Sequence, residues 1–290
     1  MGIRRAGWLW VGGAIIALAG CALPASFGVE RGLIALAEQG FVPVESAPQI
    51  KAWLKRPEAT QDSASRAVLH VYLEGDGAAW WAQRVPPADP TPRTSVALPM
   101  ALEDPHTSVA YLARPCQFLP ATAQPHCPVH WWTSGRWGDA VISLTSQALD
   151  RLRRDSGARE LVLVGHSGGG TLAVLVAAQR SDVRCVVTMA SPLDLQAWAE
   201  GQGVSPLTGS WNPADVPVTA GRFQERHLQG EADRVVPAYS MGRYGERLRP
   251  EHVMRVPLQG HSQGWVQRWR SAHRSPDPLA TWLGTCLGPV

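Results

Sequence analysis

Residues 161–174 read LVLVGHSGGGTLAV, a run of branched aliphatic residues followed by Gly-His-Ser-Gly-Gly-Gly and a second apolar run. The first run is typical of a strand buried on both faces, and the second predicts a buried helix. The G-x-S-x-G pattern between them predicts a tight turn that holds Ser167 in a strained backbone conformation. A phosphate-binding glycine loop is the alternative, but no Lys-Ser or Lys-Thr pair follows, and G-x-G-x-x-G does not fit. The stretch therefore predicts a nucleophilic serine on a strand-to-helix turn.

Strands and helices alternate along the rest of the chain. The residue patterns predict strands at 41–47, 50–56, 67–77, 107–115, 159–165, 183–191, 225–233 and 252–261, and helices at 29–40, 139–157, 169–181, near 239–249 and from 265 onward. Residues 86–108 predict a loop with at most one short helical turn, and Gly157 is typical of a helix C-cap. This order predicts an α/β fold with a mostly parallel, doubly wound sheet, in which ligands bind at the C-terminal ends of the strands.

A serine hydroxyl is inert at neutral pH without a base, so the hypothesis requires a histidine beside Ser167. The chain has nine, and His261 lies directly after the last predicted strand, in LQGHSQGW. His252 would lie at the far end of that strand and His227 inside the preceding one, whereas His166 is expected to point elsewhere on the tight turn. The sequence therefore predicts His261 as the base.

The base in turn needs an acid that fixes its tautomer and stabilises the imidazolium. Asp233 ends the preceding predicted strand, in HLQGEAD, and Asp194, in SPLD, is the competitor. A purely structural role is the alternative for both residues, as a helix N-cap or, for Asp194, as a turn residue. The chain order Ser167, Asp233, His261 is the order serine, acid, histidine, which is characteristic of one fold.

The segments GHSGGG, GEADRVVP and GHSQGW follow one another in that order, and the chain from Ala67 onward resembles the α/β-hydrolase superfamily, more narrowly exported bacterial hydrolases. The resemblance implies an α/β-hydrolase fold and an oxyanion hole made by two backbone N–H groups. One comes from Gly168, after the nucleophile, and the other from the loop in VYLEGDGAAW. Asp76 is the expected second donor, with Gly75 and Gly77 as alternatives, because Glu74 stands where many lipases have histidine.

The first twenty residues predict a lipoprotein signal peptide. Arg4 and Arg5 precede the apolar stretch GWLWVGGAIIALAG, which ends in Leu-Ala-Gly before Cys21. This stretch resembles the lipobox of bacterial lipoproteins, in which the cysteine is acylated. An ordinary signal peptide or an uncleaved anchor with an incidental cysteine is the alternative. Two or more acyl chains on Cys21 would anchor the protein to a membrane leaflet. By the same resemblance, Ala22 rather than aspartate after the cysteine implies the outer membrane, facing the periplasm.

Because the signal peptide predicts export, the other four cysteines are expected to lie in an oxidising compartment. An even number in an oxidising compartment favours disulfides. Cys116 and Cys127 bracket a proline-rich loop and are expected to join, whereas pairing of Cys185 with Cys286 is a weaker inference. A zinc site made from the two loop cysteines with His126 and His130 is the alternative, but the spacing fits no common pattern. We therefore predict no metal and no cofactor.

Composition limits the partners. The 290 residues carry a net charge of only +3, spread along the chain, which argues against binding to nucleic acid. We predict a signal peptide at 1–20, an N-terminal extension at 21–66, and a hydrolase domain at 67–290 with a small lid-like insertion at about 191–216. The sequence makes no prediction about the oligomeric state.

Several tryptophans lie in the loops expected around the pocket, at positions 80, 81, 131, 132, 137, 198 and 211. An aromatic wall for acyl or aryl groups is one interpretation, but loop packing is favoured for most of them. Arg114 and Arg136 are candidates for holding an anionic substrate group, with surface salt bridges as the favoured role.

These observations predict a lipid-anchored serine hydrolase that cleaves an ester-like acyl bond of a small molecule or lipid. Ser167 is the nucleophile, His261 the base and Asp233 its orienting acid. Two alternatives remain at this point. One is an acyltransferase or peptidase with the same triad, and the other is a non-catalytic, lipid-anchored binding protein that kept the fold.

A histidine base makes activity depend on pH. The imidazole must be neutral to accept the serine proton, and an imidazole in water titrates at about pH 6.5. Hydrolysis should therefore fall as the pH is lowered through that range, as initial rates on a chromogenic ester would reveal. A rate that stays constant from about pH 8 to about pH 5 would contradict a histidine base.

Overall fold

The structure is a computed structural model that describes residues 28–56, 67–79, 85–120, 122, 126–217, 223–273 and 277–287. The predicted signal peptide and Cys21 lie outside the described residues, as do Trp80 and Trp81. Among the helices of the described ranges, none has the length and apolarity that a bilayer-spanning segment requires.

Eight strands and eight α-helices follow one another in the described ranges. They are α1 (Val29–Glu38), β1 (Phe41–Ala47), β2 (Ile50–Lys55), β3 (Val68–Leu73), α2 (Ala97–Glu103), β4 (Val109–Leu112), α3 (Asp139–Ser156), β5 (Glu160–His166), α4 (Gly168–Ala177), β6 (Val183–Met189), α5 (Leu195–Gln202), β7 (Gln224–Gly230), α6 (Gly242–Glu246), β8 (Val253–Val256), α7 (Trp265–Ala272) and α8 (Pro278–Leu287). Short 3₁₀ turns lie at Val129–Trp131, Pro213–Asp215, Ala238–Met241 and Pro250–His252.

All eight strands form one sheet in the order β1-β2-β4-β3-β5-β6-β7-β8. Strand β2 runs antiparallel to its neighbours β1 and β4, and every other pairing is parallel. The mostly parallel, doubly wound sheet predicted from the sequence is thereby confirmed, and the two strands before residue 67 belong to the same sheet. The C-terminal ends of β3 and β5 to β8 meet at one edge, which is where ligands of such sheets bind.

The aliphatic run of β5 is explained by burial on both faces. Leu161 and Leu163 pack into one apolar cluster together with α3 and α4. Val162 and Val164 point to the opposite face, into a second cluster with α2, α7 and α8. Because successive side chains of a strand alternate between faces, a central strand covered on both sides is apolar at every position.

Two helices differ from the expectations. Residues 86–108 contain α2, a seven-residue helix rather than at most one turn, and five of its residues are buried. A separate C-terminal helix, α8, follows α7, where the sequence predicted only one final helix. Both helices cover the same face of the sheet, so tertiary burial outweighs the weak local signal of these proline-flanked segments.

The structure joins Cys116 to Cys127 and Cys185 to Cys286 by disulfides, the pairings expected from the sequence. The first closes the proline-rich loop against Leu119 and Trp132. The second links β6 to α8 inside the core, with a Cα–Cα distance of 5.5 Å. Since Cys116 and Cys127 are bonded to each other, they are not ligands of the alternative zinc site.

The two disulfides should differ in what they contribute to stability. Loop-closure entropy grows with the sequence separation, which is 101 residues for Cys185–Cys286 and 11 for Cys116–Cys127. Replacing both partners by alanine should lower the free energy of unfolding by about 5 kcal/mol for the longer loop and about 3 kcal/mol for the shorter one. Urea unfolding of the two double variants, followed by tryptophan fluorescence, measures both. The reverse ranking would contradict this account.

Candidate active site

The turn between β5 and α4 holds Ser167 in a strained conformation, as its sequence pattern predicts. Its backbone lies at φ 53° and ψ −128°, a region that side-chain-bearing residues rarely adopt. The Ser167 amide donates to the carbonyl of Met189, 2.8 Å away, which fastens the turn to the neighbouring strand β6. The hydroxyl thereby stands at the C-terminal edge of the sheet.

The glycines around Ser167 are required by the packing of neighbouring backbone. A Cβ on Gly165 would collide with the backbone of Gly169 and Gly170 in the first turn of α4. A Cβ on Gly169 would collide with the carbonyls that end β3, and one on Gly170 with the side chain of Ser191. The strand and the helix therefore approach each other with no side chain between them, which only glycine allows.

His261 lies between Ser167 and Asp233. Its Nε2 is 3.1 Å from the Ser167 Oγ, and its Nδ1 is 2.8 Å from Oδ2 of Asp233. Oδ1 of Asp233 accepts from the amides of Val235 and Val236, each at 2.8 Å. Because one carboxylate oxygen is held by the backbone, the other is fixed toward the imidazole. The arrangement suits a tautomer that donates from Nδ1 and accepts the serine proton at Nε2.

The competing acid and bases have other partners. Asp194 caps α5 through the Ala197 amide and pairs with Arg243. His227 is buried between Thr188 and Glu225, and His252 lies in the 3₁₀ turn at the start of β8. Among the described residues, Asp233 and His261 are the candidate acid and base that form the hydrogen-bonded chain to Ser167. Their catalytic role remains a prediction.

His166 does not point away from the site, as the sequence analysis expected. Its Nε2 lies 2.8 Å from the backbone carbonyl of His261, and the two rings are 5.1 Å apart. The indole N–H of Trp265 donates to the same carbonyl at 2.8 Å. Burial and the nearby His261 lower the pKa of His166 to about 4, which keeps the ring neutral. Two N–H groups therefore hold the main chain of the base, a role that adjacency in the sequence does not reveal.

The candidate oxyanion donors lie on two adjoining segments. Within the described part of the chain, the amides of Gly168 and Asp76 donate no hydrogen bond to protein atoms. The Gly75 amide donates to Oε1 of Glu74, which removes Gly75 from the alternatives. Asp76 and Gly77 remain as second donors, and the choice of Asp76 stays a prediction.

The side chain of Asp76 lies directly against the first residue of α4, since a Cβ on Gly168 would collide with its carboxylate. Arg114 and Arg136 each donate to it at 2.8 Å. Burial raises the pKa of Asp76, but the two guanidinium groups outweigh that effect and the pKa is lowered. The sequence analysis expected these arginines to form salt bridges at the surface. They do form salt bridges, but both side chains are buried beside the nucleophile.

Trp137 connects the arginines to the nucleophile turn. Its indole N–H donates to the Gly168 carbonyl at 2.9 Å, and the Arg136 guanidinium lies 5.2 Å from its ring centroid. The favourable contact between cation and ring adds to the ion pairs in fixing the Asp76 loop. Asp76 in this loop and Gly168 in α4 are each a candidate oxyanion donor. The contacts of Trp137 with Gly168 and Arg136 therefore also fix the distance between the two donors.

A cavity of about 520 Å³ opens in front of Ser167. It is lined by the loop after β3, the segment at 92–96, and residues that follow β5, β6, β7 and β8. Of the tryptophans considered above, Trp137 and Trp198 line the cavity. Trp132 packs beside the Cys116–Cys127 disulfide instead, and Trp211 donates to Asp139. Loop packing thus accounts for the latter two, as the sequence analysis favoured.

The segment 191–216 consists of α5 and the 3₁₀ turn Pro213–Asp215. Trp198 of α5 lines the cavity and donates from its indole N–H to the Val235 carbonyl at 2.8 Å. Asn212 fastens the far end of the segment to Asp194 at 3.1 Å. The segment therefore forms one wall of the cavity, and its function as a lid stays a prediction.

The low pKa of His166 predicts a pH dependence of stability. A histidine with a folded pKa of about 4 and an unfolded pKa near 6.5 binds more protons when unfolded, so stability falls as the pH drops through that interval. The group should account for a loss of about 2 kcal/mol between pH 7 and pH 5. His166→Gln keeps a side-chain N–H donor without titrating, so the variant should lose about 2 kcal/mol less than wild type over the same pH change. Urea unfolding at both pH values measures the difference, and equal losses would contradict the role of His166.

Comparisons with known proteins agree with this architecture. A family model described as alpha/beta hydrolase fold matches residues 128–217. A serine hydrolase without lid from Xanthomonas campestris has a TM-score of 0.53 at 16% identity, over 84% of this chain and 93% of that one. An esterase from Pyrococcus furiosus has a TM-score of 0.51 at 14% identity, over 86% of this chain and 90% of that one.

A puromycin-hydrolyzing peptidase from Mycobacterium tuberculosis has a TM-score of 0.57 at 16% identity, over 86% of this chain but only 40% of that one. No curated protein sequence matches the chain. Likeness at these identities concerns the fold, which also agrees with the strand order and the turn at Ser167. The chain is therefore a protein of the α/β-hydrolase fold.

Proposed function

We propose that the protein is a lipid-anchored serine hydrolase that cleaves an ester-like acyl bond. The observation that carries the proposal is the placement of the His261 imidazole within hydrogen-bond distance of both the Ser167 hydroxyl and the Asp233 carboxylate. The hydroxyl also projects into a cavity large enough for an acyl group. A nucleophile, a base and an orienting acid are the minimal set for acyl transfer through a covalent intermediate.

In this proposal Ser167 Oγ attacks the substrate carbonyl while His261 Nε2 accepts its proton. The imidazolium then protonates the leaving alcohol, and the acyl group remains on Ser167 as an ester. Water repeats the sequence, with His261 taking its proton and the acid leaving. Asp233 orients His261 and stabilises its cationic form in both halves.

Negative charge develops on the carbonyl oxygen in both steps. The proposed donors to it are the amides of Gly168 and Asp76, which donate to no other protein atom in the described ranges. The Asp76 carboxylate would oppose this charge if it stood alone. Because Arg114 and Arg136 both pair with it, the three groups together carry one positive charge, which favours the oxyanion.

The anchor is proposed from the sequence of the N-terminal segment. Cys21 follows a basic residue pair and an apolar stretch that ends in Leu-Ala-Gly, the order found in lipoprotein signals. Two or more acyl chains on this cysteine would hold the protein on a membrane leaflet. We assign it to the outer membrane, facing the periplasm, where the two disulfides would also persist.

Covalent labelling with a fluorophosphonate probe tests the proposed nucleophile. The probe phosphonylates a serine only where a base activates it, so the wild type should label and Ser167→Ala should not. Ser262→Ala is the matched control, because Ser262 lines the same cavity but has no place in the triad. It should label like wild type.

Two results would count against the proposal. Absence of labelling in the wild type would remove the hydrolase function altogether. Labelling that persists in Ser167→Ala and disappears in Ser262→Ala would move the nucleophile to the other serine.

A further inference from the structure

The first residue that the structure describes lies at the mouth of the cavity. Gly28 forms an antiparallel bridge with Thr94, and Thr94 is part of the cavity lining together with Pro92 and Arg93. The chain that precedes Gly28 therefore arrives at the rim of the active site, not at the opposite end of the sheet.

The tether between the proposed anchor and this rim is short. Seven residue steps separate Cys21 from Gly28, so they span at most about 25 Å when fully extended. A compact chain of 290 residues has a radius of gyration of about 19 Å and is roughly 50 Å across. The acylated cysteine therefore stays within about 25 Å, half the width of such a molecule, of the rim on which Gly28 lies.

Exposed apolar side chains lie on one side of the same mouth. Trp198 and Val235 line it, and Val235 is half exposed. Tyr239, which accepts a hydrogen bond from Gln202 of α5, is 44% exposed. These residues follow β6 and β7, so all of them lie at the C-terminal edge of the sheet.

Leu258 is the most exposed large apolar residue described. It follows β8, three positions before His261, with 93% of its surface accessible and a φ of 57°. A leucine here exposes an apolar side chain and also occupies a left-handed backbone region that favours glycine or asparagine. Single exposed leucines are common in soluble proteins. This one, however, lies on the edge to which the tether leads.

We propose that the cavity mouth faces the membrane leaflet in which Cys21 is anchored, and that the substrate is an acyl ester carried by a lipid of that leaflet. Leu258 and the apolar rim would contact the acyl and headgroup boundary, as amphipathic surfaces of peripheral enzymes do. The inference rests on the proposed hydrolase function and on acylation of Cys21. The partner that contacts the apolar rim in this proposal is the surface of the lipid bilayer.

The reaction follows the scheme above, applied to a lipid ester. Ser167 Oγ forms a bond to the ester carbonyl carbon, and the bond from that carbon to the lipid alkoxy oxygen breaks. The alkoxy oxygen leaves as an alcohol with the proton from His261, so a lysolipid is released. Water then cleaves the acyl-serine ester and yields a free fatty acid and the restored hydroxyl.

Fluorescent labelling tests the orientation without reference to activity. The four cysteines other than Cys21 are paired in disulfides, so an introduced cysteine takes the label alone. Leu258→Cys is compared with Val42→Cys, whose exposed position lies in β1, the edge strand on the opposite side of the sheet from β8. The lipidated full-length variants carry an environment-sensitive dye and are reconstituted into vesicles of phosphatidylethanolamine and phosphatidylglycerol. The dye at position 258 should shift to the blue relative to detergent, and the dye at 42 should not. Equal shifts, or a shift at 42 only, would overturn the proposal.

Activity on two substrates separates this inference from the function on which it rests. Full-length, lipidated Leu258→Asp and Val42→Asp are assayed on a short water-soluble ester and for fatty-acid release from the same vesicles. Both variants should keep wild-type rates on the soluble ester. Replacing a membrane-inserted leucine by a charge should lower fatty-acid release by about tenfold or more in Leu258→Asp and leave Val42→Asp unchanged.

The outcomes are distinct. Soluble-ester hydrolysis without release of fatty acid by the wild type would overturn the lipid substrate and leave the hydrolase function standing. Equal release by both variants would overturn the role of the rim. Failure on both substrates would reject the proposed function and this inference with it.

Discussion

The close approach of strand β5 to helix α4 is the constraint on which the site depends. With no side chain at Gly165, Gly169 or Gly170, the two backbones lie in contact, and the turn between them has no room to relax. Ser167 is therefore held at φ 53° by packing on both sides rather than by its own preference. Such strain, about 1–3 kcal/mol per residue, persists only where the surroundings over-determine the conformation. Here the surroundings are a helix whose ten residues are all buried.

A second constraint is electrostatic and concerns the loop after β3. Asp76 brings a carboxylate against the start of α4, where the helix dipole favours negative charge, yet the same place must also accommodate an oxyanion. A lone carboxylate there would raise the energy of the transition state. Two buried arginines reverse the sign of the local charge, and their other hydrogen bonds, to backbone carbonyls at Thr133 and Arg136, keep them in place. The same contacts thus fix the loop in position and make its charge compatible with a neighbouring oxyanion.

The fold and the three candidate residues were predictable because they depend on local patterns. A strand buried on both faces is apolar throughout, and a tight turn requires glycines. The serine, the acid and the histidine follow one another along the chain in the order expected for this fold. The contacts made by Arg114, Arg136 and His166 were not predictable in the same way. Asp76 and Arg136 are 60 residues apart, and His166 and His261 are 95 apart, so only the folded sheet brings them together. Helix α2 was underestimated for a related reason, since Pro99 within it weakens the local signal and its burial comes from distant elements.

Each residue of the proposed triad is fixed twice, once by its partner in the triad and once by the backbone behind it. The Ser167 amide bonds to β6, one oxygen of Asp233 accepts from two amides, and the His261 carbonyl accepts from two ring N–H groups. A side-chain hydrogen bond alone leaves the loop that carries the residue free to shift, and a displacement of about 1 Å can cost a hundredfold in rate. The second set of bonds removes that freedom before substrate arrives. It also explains why a buried, neutral histidine lies next to the nucleophile. The ring N–H of His166 donates to the backbone carbonyl of His261, and the low pKa of His166 leaves the proton transfer to His261.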